Sequence, residues 1–289
     1  MANVSYKVGL HVSIAGGISN SVDNAEDLGC SAFQIFSRNP RGWAAKPLAP
    51  DDVAAFKNKL AASGIDRAST VVHMPYLPNL SGPAGEMYTK SVDTLASEIE
   101  RVSALGIPYL VIHLGSHLGK GQEAGTSQLV DAITSARDRA KKKSESVTVL
   151  LENNAGQKNS VGATFESLRT ILDRLDDSSR VGVCMDTCHA FASGYDLRTP
   201  VNVEKTLDAF DGAVGLRELK VVHLNDSKGA LGSNLDRHEH VGLGNIGKEG
   251  LAAFLRNKRI APLPIIMETP IDEKRDDAKN LKAFWELVG

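Results

Sequence analysis

The sequence predicts an α/β protein, a single eight-stranded (β/α)8 barrel occupying residues 1–289. Three observations predict it. Short β-rich runs alternate with longer helical patterns from end to end, the runs number eight, and no Pro/Gly/Ser-rich linker interrupts them. In chain order the runs are Val8–Ser13, Ala32–Phe36, Thr70–Met74, Tyr109–His113, Val147–Glu152, Val181–Asp186, Lys220–Leu224 and Pro264–Glu268. Each is short and rich in Val, Ile or Leu, as parallel strands covered on both faces are. The segments between them place apolar residues three and four apart. In Tyr88–Leu105, for example, Ser91, Asp93, Thr94 and Glu98 supply the polar positions of a helix. No repeat shorter than the βα unit is visible, and one unit of this size buries enough surface to need no covalent staples.

Composition narrows the class further. At 42% hydrophobic and 24% charged residues, the chain is neither disordered nor fibrous. No apolar run reaches the roughly 18 residues of a membrane helix, so no membrane partner is expected. The beginning, MANVSYKVGLHVS, lacks the pattern of a secretory signal, and Cys30, Cys184 and Cys188 are too few for a disulfide framework. A cytoplasmic location follows as the expectation. The net charge of −2 argues against a general nucleic-acid binder unless cations cluster locally. The densest basic run, Arg137, Arg139 and Lys141 to Lys143, falls where a helical pattern ends and is read as a solvated C-terminal turn.

The C-terminal ends of the runs carry the chemistry. His11, His73, His113, Glu152, Asp186, His223 and Glu268 stand there, closing apolar segments such as VVH, LVIH, VLLE, VCMD, VVH and IIME. From His73 to Glu268 they recur at intervals of roughly 34–45 residues, one βα unit each. In a barrel these ends share one face, so the side chains converge, and buried charge at that face is satisfied by a metal ion. In DTCH, His189 follows Asp186 by three residues. In DRHEH, Asp236 and His238 alternate, and an extended loop points both to one side. His240 continues the alternation, as a further ligand or as a neighbour of the ligands. Imidazole with carboxylate suits zinc, manganese or iron. The three cysteines lack a CxxC partner and are read as packing residues.

The nine candidates, His73, His113, Glu152, Asp186, His189, His223, Asp236, His238 and Glu268, exceed the needs of one ion. Two or three ions fit, and such clusters clamp the attacking and leaving oxygens of a phosphodiester. The expected chemistry is phosphoryl transfer by a hydroxide held on the cluster. Gly242, Gly244 and Gly247 spell G-x-G-x-x-G before Lys248, but too late in the chain for a dinucleotide fingerprint. The loop is read either as a backbone cradle for phosphate or as a turn that needs glycines.

Two long segments, GVCMDTCH (Gly182–His189) and VHLNDSKGALGSNLDRHEHVG (Val222–Gly242), resemble the signatures of the endonuclease IV family of apurinic/apyrimidinic endonucleases. HMPYLPN, HLGSHLG, LENNAGQ, METP, GLHVSIAGG and FQIFSRNPRGW agree with that family in order and spacing, so the resemblance spans essentially the whole chain. It implies a zinc-dependent TIM barrel that cleaves duplex DNA 5′ to abasic sites and removes 3′-blocking groups. Three zinc ions are implied, with manganese as a substitute. His73, His113 and Glu152 would hold one ion, Glu152 would bridge to a second held by Asp186, His223 and Glu268, and His189, Asp236 and His238 would hold the third. Glu152 and Glu268 are the residues expected to be catalytic. Arg41, Tyr76 and Leu77 match the side chains that the family inserts at the lesion, and an Arg, an aromatic ring and an apolar residue can replace a lost base stack. His11 would neighbour the ligands. Departures from the family pattern are small: Val241, Leu114 and Gly42 replace residues common there, the last leaving the lesion loop less well defined. Arg38, Arg41, Lys228, Arg237 and Lys248 fall in loops of the same face and would focus positive potential on it. A monomer acting on nucleoid DNA is expected.

Two other readings compete. A metal-dependent sugar isomerase or epimerase shares the barrel and strand-end ligands but needs fewer ions, and so has no use for His189, Asp236 and His238. A non-catalytic lesion- or metal-binding protein would be expected to have lost a ligand, and none is missing.

Overall fold

The computed structural model describes residues 5–175 and 180–289; the first four residues of the N-terminal stretch, and the side chains of Lys142 in the basic run and of Ser144, lie outside the described part. All eight apolar runs form strands: β1 Lys7–His11, β2 Ala32–Phe36, β3 Thr70–His73, β4 Tyr109–Ile112, β5 Thr148–Glu152, β6 Val181–Asp186, β7 Leu219–His223 and, after a two-stranded hairpin, β10 Pro264–Met267. They close a parallel barrel in the order β1-β10-β7-β6-β5-β4-β3-β2, with β2 pairing back to β1. The ends differ from the sequence expectation by one or two residues, chiefly because chain segments leave the ladder as they turn toward the upper face. The hairpin, β8 Asp226–Ser227 with β9 His238–Glu239, is antiparallel and belongs to the loop between β7 and β10.

The two-residue period of a strand sorts its side chains. Ala32, Val71, Val111, Leu150, Cys184, Val221 and Ile266 fill the barrel interior as one buried cluster. β1 contributes Gly9 at this level, where a Cβ would stand 1.6 Å from the Ala32 carbonyl oxygen, so only glycine lets β1 and β2 approach. The alternate residues, such as Val8, Phe33, Val72, Leu110 and Val183, face outward into a second core under the helices.

Nine helices among the described residues cover the barrel: α1 Asn20–Asp27, α2 Pro50–Ala62, α3 Glu86–Leu105, α4 Gln122–Ala140, α5 Phe165–Asp173, α6 Thr187–Ala192, α7 Pro200–Ala213, α8 Gly247–Arg256 and α9 Asp277–Val288. In α3 the buried face is Val92, Leu95, Ile99 and Val102, spaced three and four apart, and Gly106 ends the helix in the left-handed conformation. Truncating Leu95 to Ala there would cost about 2–5 kcal/mol. The basic run ends α4 and enters a 3-10 turn at Lys141–Ser146, where Arg139 pairs with Asp93 and Lys143 with Glu100, both on α3. These cations fasten α4 to α3; no described helix is long and apolar enough to cross a membrane.

Candidate metal centre

The sorting that fills the barrel also builds the site. Two residues beyond each interior apolar residue, on the same face of its strand, stands a polar one: His73 after Val71, His113 after Val111, Glu152 after Leu150, Asp186 after Cys184, His223 after Val221 and Glu268 after Ile266. Because the strands all run parallel and tilt around a closed barrel, with His73 paired to Val111 and Glu152 to Cys184 in the ladder, these six side chains form the next layer up, at the C-terminal mouth. Glu152 stands at its centre. Its Oε2 lies 3.2 Å from both His73 Nε2 and His113 Nε2, and its Oε1 lies 3.1 Å from His223 Nδ1. His223 Nδ1 is also 3.1 Å from Glu268 Oε2.

Three further side chains reach this layer from segments beyond the strands. Asp186 is the N-cap of α6 and accepts from the His189 backbone N–H at 2.8 Å, which sets His189 one turn away. His189 Nε2 stands 3.1 Å from Asp236 Oδ1, and His238 Nε2 stands 3.6 Å from the same oxygen and 3.5 Å from Asp186 Oδ2. Potential ligand atoms therefore gather, each set within 4.8 Å, as His73–His113–Glu152, as Glu152–Asp186–His223–Glu268 and as His189–Asp236–His238. Glu152 belongs to two of these sets, and Asp186 adjoins the third.

Four of the imidazoles are aimed by the bond their other nitrogen makes. His73 Nδ1 donates to the Met74 carbonyl at 2.7 Å, His189 Nδ1 to the Asn153 carbonyl at 2.9 Å and His238 Nδ1 to the Glu268 carbonyl at 3.0 Å, so all three present Nε2. His223 is reversed: its Nε2 donates to Gln34 Oε1 at 2.9 Å and it presents Nδ1. Such outer partners fix tautomer and ring orientation in metal sites. Three amide side chains around the ligands are missing from the candidates read in the sequence. Gln34, fully buried, also donates to Glu268 Oε1 at 2.7 Å and approaches His11 Nδ1 at 3.0 Å. Asn225 donates to Asp186 Oδ2 at 2.7 Å and accepts the Glu268 N–H, and Asn153 brackets the Asp186 backbone. The signal that could have found them is a polar amide inside an otherwise apolar strand or close after a ligand.

The residues fit a cation. The Nε2 atoms of His189 and His238 are buried and make no hydrogen bond, although carboxylate oxygens stand nearby, and buried polar atoms of this kind call for a partner. Burial alone would raise the Glu152 carboxyl, but His223 and His113 override it and hold it well below the usual carboxylate range. Glu268 behaves alike: burial opposes, and His223 with His11 prevails. His189 shows the reverse: burial would lower it, but Asp186 and Asp236 push it up to about 10. Metal ligation needs neutral imidazole and ionised carboxylate, so a cation binding here would release protons. Burial pushes the Cys184 and Cys188 thiols to about 12, which keeps both neutral. Cys188 lies near Asp186 and His238, yet its Sγ is turned to the Arg237 carbonyl at 3.6 Å.

Of the two readings of the glycine loop, the turn holds and the phosphate cradle does not: the backbone N–H groups of Ser227, Gly244, Ile246 and Gly247 converge on the carboxylate of Asp226, itself fully buried. The chain supplies its own anion, and a Cβ on Gly244 would sit 2.6 Å from Asp226 Oδ1. His240 bonds to none of the nine candidates; its Nε2 donates to Asp272 at 2.9 Å and its Nδ1 accepts from Asn280 at 3.0 Å, tying the hairpin to α9. His11, by contrast, stands 3.5 Å from Glu268 Oε1.

Around the mouth, Tyr76 is 54% and Leu77 40% exposed, and Arg41 is exposed. The Tyr76 ring lies over His113 with centroids 6.0 Å apart, and its backbone N–H donates to the Pro40 carbonyl at 3.1 Å, joining the two loops. Lys228, Arg237 and Lys248 are exposed on the same face, but Arg38 is not: it is buried against Glu98, so its charge is neutralised inside the protein.

Residues 22–286 match the family described as xylose isomerase-like TIM barrel. A protein of Cenarchaeum symbiosum named "probable endonuclease 4" is 56% identical over 98% of this chain and 100% of its own length. The crystal structure of endonuclease IV from Thermus thermophilus is similar at a TM-score of 0.86 and 40% identity, covering 98% of both chains. A D-tagatose 3-epimerase-like protein reaches a TM-score of 0.72 at 19% identity over 98% of this chain and 97% of its own, a likeness of fold alone.

Proposed function

The chain belongs to the endonuclease IV family, and from that premise we propose that it is a zinc-dependent repair endonuclease that hydrolyses duplex DNA 5′ to abasic sites and clears blocked 3′ ends. The observation that carries this reading is the continuity of the three ligand sets through Glu152 and Asp186. A sugar epimerase centre would stop at the strand-borne residues; the His189–Asp236–His238 set adds a position next to them.

His73, His113 and Glu152 would hold one ion, Glu152, Asp186, His223 and Glu268 a second, and His189, Asp236 and His238 a third; manganese would suit the same donors. When bound, the ions supply a water of lowered pKa and positive charge for a phosphate. The protein's own part is orientation. Glu152 and Glu268, ionised and paired with imidazoles, would carry the cations that face the scissile phosphate. Gln34 keeps His223 and Glu268 in fixed mutual geometry. Tyr76, Leu77 and Arg41 stand exposed at the rim, where an aromatic ring, an apolar wedge and a guanidinium can fill the gap left by a missing base. The net charge of −2 is offset at this face by the ions and by Arg41, Lys228, Arg237 and Lys248. We take the working form to be a monomer on cytoplasmic DNA.

The test is incision of an end-labelled duplex carrying one abasic analogue, beside the undamaged duplex, by enzyme of measured metal content. A single cut 5′ to the lesion, sparing the control, is expected. Failure to cut by folded, metal-replete protein would overturn the reading.

A further inference from the structure

The loop after β2, which carries Arg41, is held at both ends by one side chain of α3. Arg101 donates from Nε to Ser37 Oγ at 2.7 Å and from Nη2 to the Ser37 carbonyl, and it donates from Nη1 to the Lys46 carbonyl at 2.8 Å. Ser37 opens this connection between β2 and α2 and Lys46 lies near its far end, four residues before Pro50, with Arg41 between them at a turn in which Asn39 Oδ1 accepts the Arg41 N–H at 3.0 Å. Beneath the clamp lies Glu98, fully buried. It accepts from Ser37 Oγ at 2.7 Å and from Arg38, whose Nη2 also donates to Ser97 Oγ at 2.8 Å. The middle of the loop is tied once more, through Pro40, to the Tyr76 N–H.

We infer that Arg101 is a positioning residue for DNA, clamping the two ends of the 37–46 loop so that Arg41 is presented beside Tyr76 in a fixed place. A planar guanidinium can bond two separated carbonyls and a hydroxyl at once, whereas an ammonium group cannot span them. The burial of Ser37, Arg38 and Glu98 makes these bonds costly to lose, because the groups left behind are away from water. With the clamp intact, the loop is ordered before substrate arrives; without it, ordering the loop counts against binding. None of these residues belongs to the metal-ligand sets, so the clamp acts on affinity and lesion selection, and the inference rests on the proposed DNA substrate.

The experiment compares wild type with Arg101→Lys. Three readouts are needed: hydrogen exchange of residues 37–46, steady-state cleavage of the abasic duplex, and hydrolysis of bis(p-nitrophenyl) phosphate, a diester too small to reach the loop. The variant is expected to exchange faster in 37–46, to raise KM for the duplex about tenfold with kcat little changed, and to hydrolyse the small diester at the wild-type rate. Unchanged exchange in 37–46 would overturn the clamp. Faster exchange with an unchanged KM would overturn its role in presenting Arg41. Wild-type protein that hydrolyses the small diester but ignores the abasic duplex would instead defeat the substrate assignment, and the DNA half of this inference with it. Arg101→Met, if it folds, should exceed the Lys variant in both exchange and KM; a smaller effect would contradict the clamp.

Discussion

Six of the nine candidate ligands are borne by barrel strands or the residue just after them, and three by segments beyond, and different forces hold the two halves. His73, His113, Glu152, Asp186, His223 and Glu268 inherit their positions from the parallel ladder, one pleat above a packed apolar layer. His189, Asp236 and His238 have no ladder of that kind. His189 depends on the N-cap of a six-residue helix, and the hairpin with Asp236 and His238 depends on side-chain ties: Asp226 in its ring of amides, His240 to Asp272 and Asn280, and Lys274 to Glu239. The strand half is thus set by the fold itself, and the loop half by a handful of polar bonds that can be cut one at a time.

That contrast can be broken at its joint. Glu152 serves two of the ligand sets, so Glu152→Gln should lower incision by on the order of a thousandfold or more and deplete two metal positions, with the circular-dichroism spectrum retained. Near wild-type turnover by a variant of verified metal content would contradict the assignment. Next in size, His238→Gln should empty only the loop half: elemental analysis should fall by one metal equivalent while incision drops by at least about a hundredfold. Equal loss from every position would show the halves to be one cooperative unit.

Smaller effects sharpen the comparison. Gln34→Met keeps the strand-half ligands but removes the bonds that orient His223 and Glu268; a competing chelator should strip metal from it at a roughly 10- to 100-fold lower concentration. Asp226→Asn acts on the loop half alone. Loss of the charged acceptor for four backbone amides should cost about 1–3 kcal/mol in urea unfolding of the metal-free protein. It should loosen any metal that His189, Asp236 and His238 take up and leave the others; an unchanged midpoint would mean that those amides find other partners.

The same division explains what the sequence disclosed. Strand-borne ligands were legible because a charged or imidazole group closing an apolar run has few structural reasons to be there, and because six recur at the βα interval. Asp236 and His238 were legible from their alternation, which β9 realises in part. Gln34 and Asn225 were not: Gln34 sits two residues after Ala32 as the ligands do after their own interior residues, but a neutral amide is not itself a ligand type, and the worth of both lies in partners far along the chain, Glu268 and Asp186. Arg38 looked like a free cation because its partner, Glu98, lies sixty residues away on α3. The glycine loop suggested an anion site and does bind an anion, but the carboxylate of Asp226 is supplied from within, a pairing that spacing alone does not reveal.

The central claim is that the two halves form one continuous centre, and a zinc-edge anomalous difference map of crystals grown with zinc tests it most directly. Three peaks are expected: one among His73, His113 and Glu152, one among Glu152, Asp186, His223 and Glu268, and one among His189, Asp236 and His238. Peaks at the strand-borne positions with none beside His189, Asp236 and His238 would contradict it and return the centre to the kind a sugar epimerase would use.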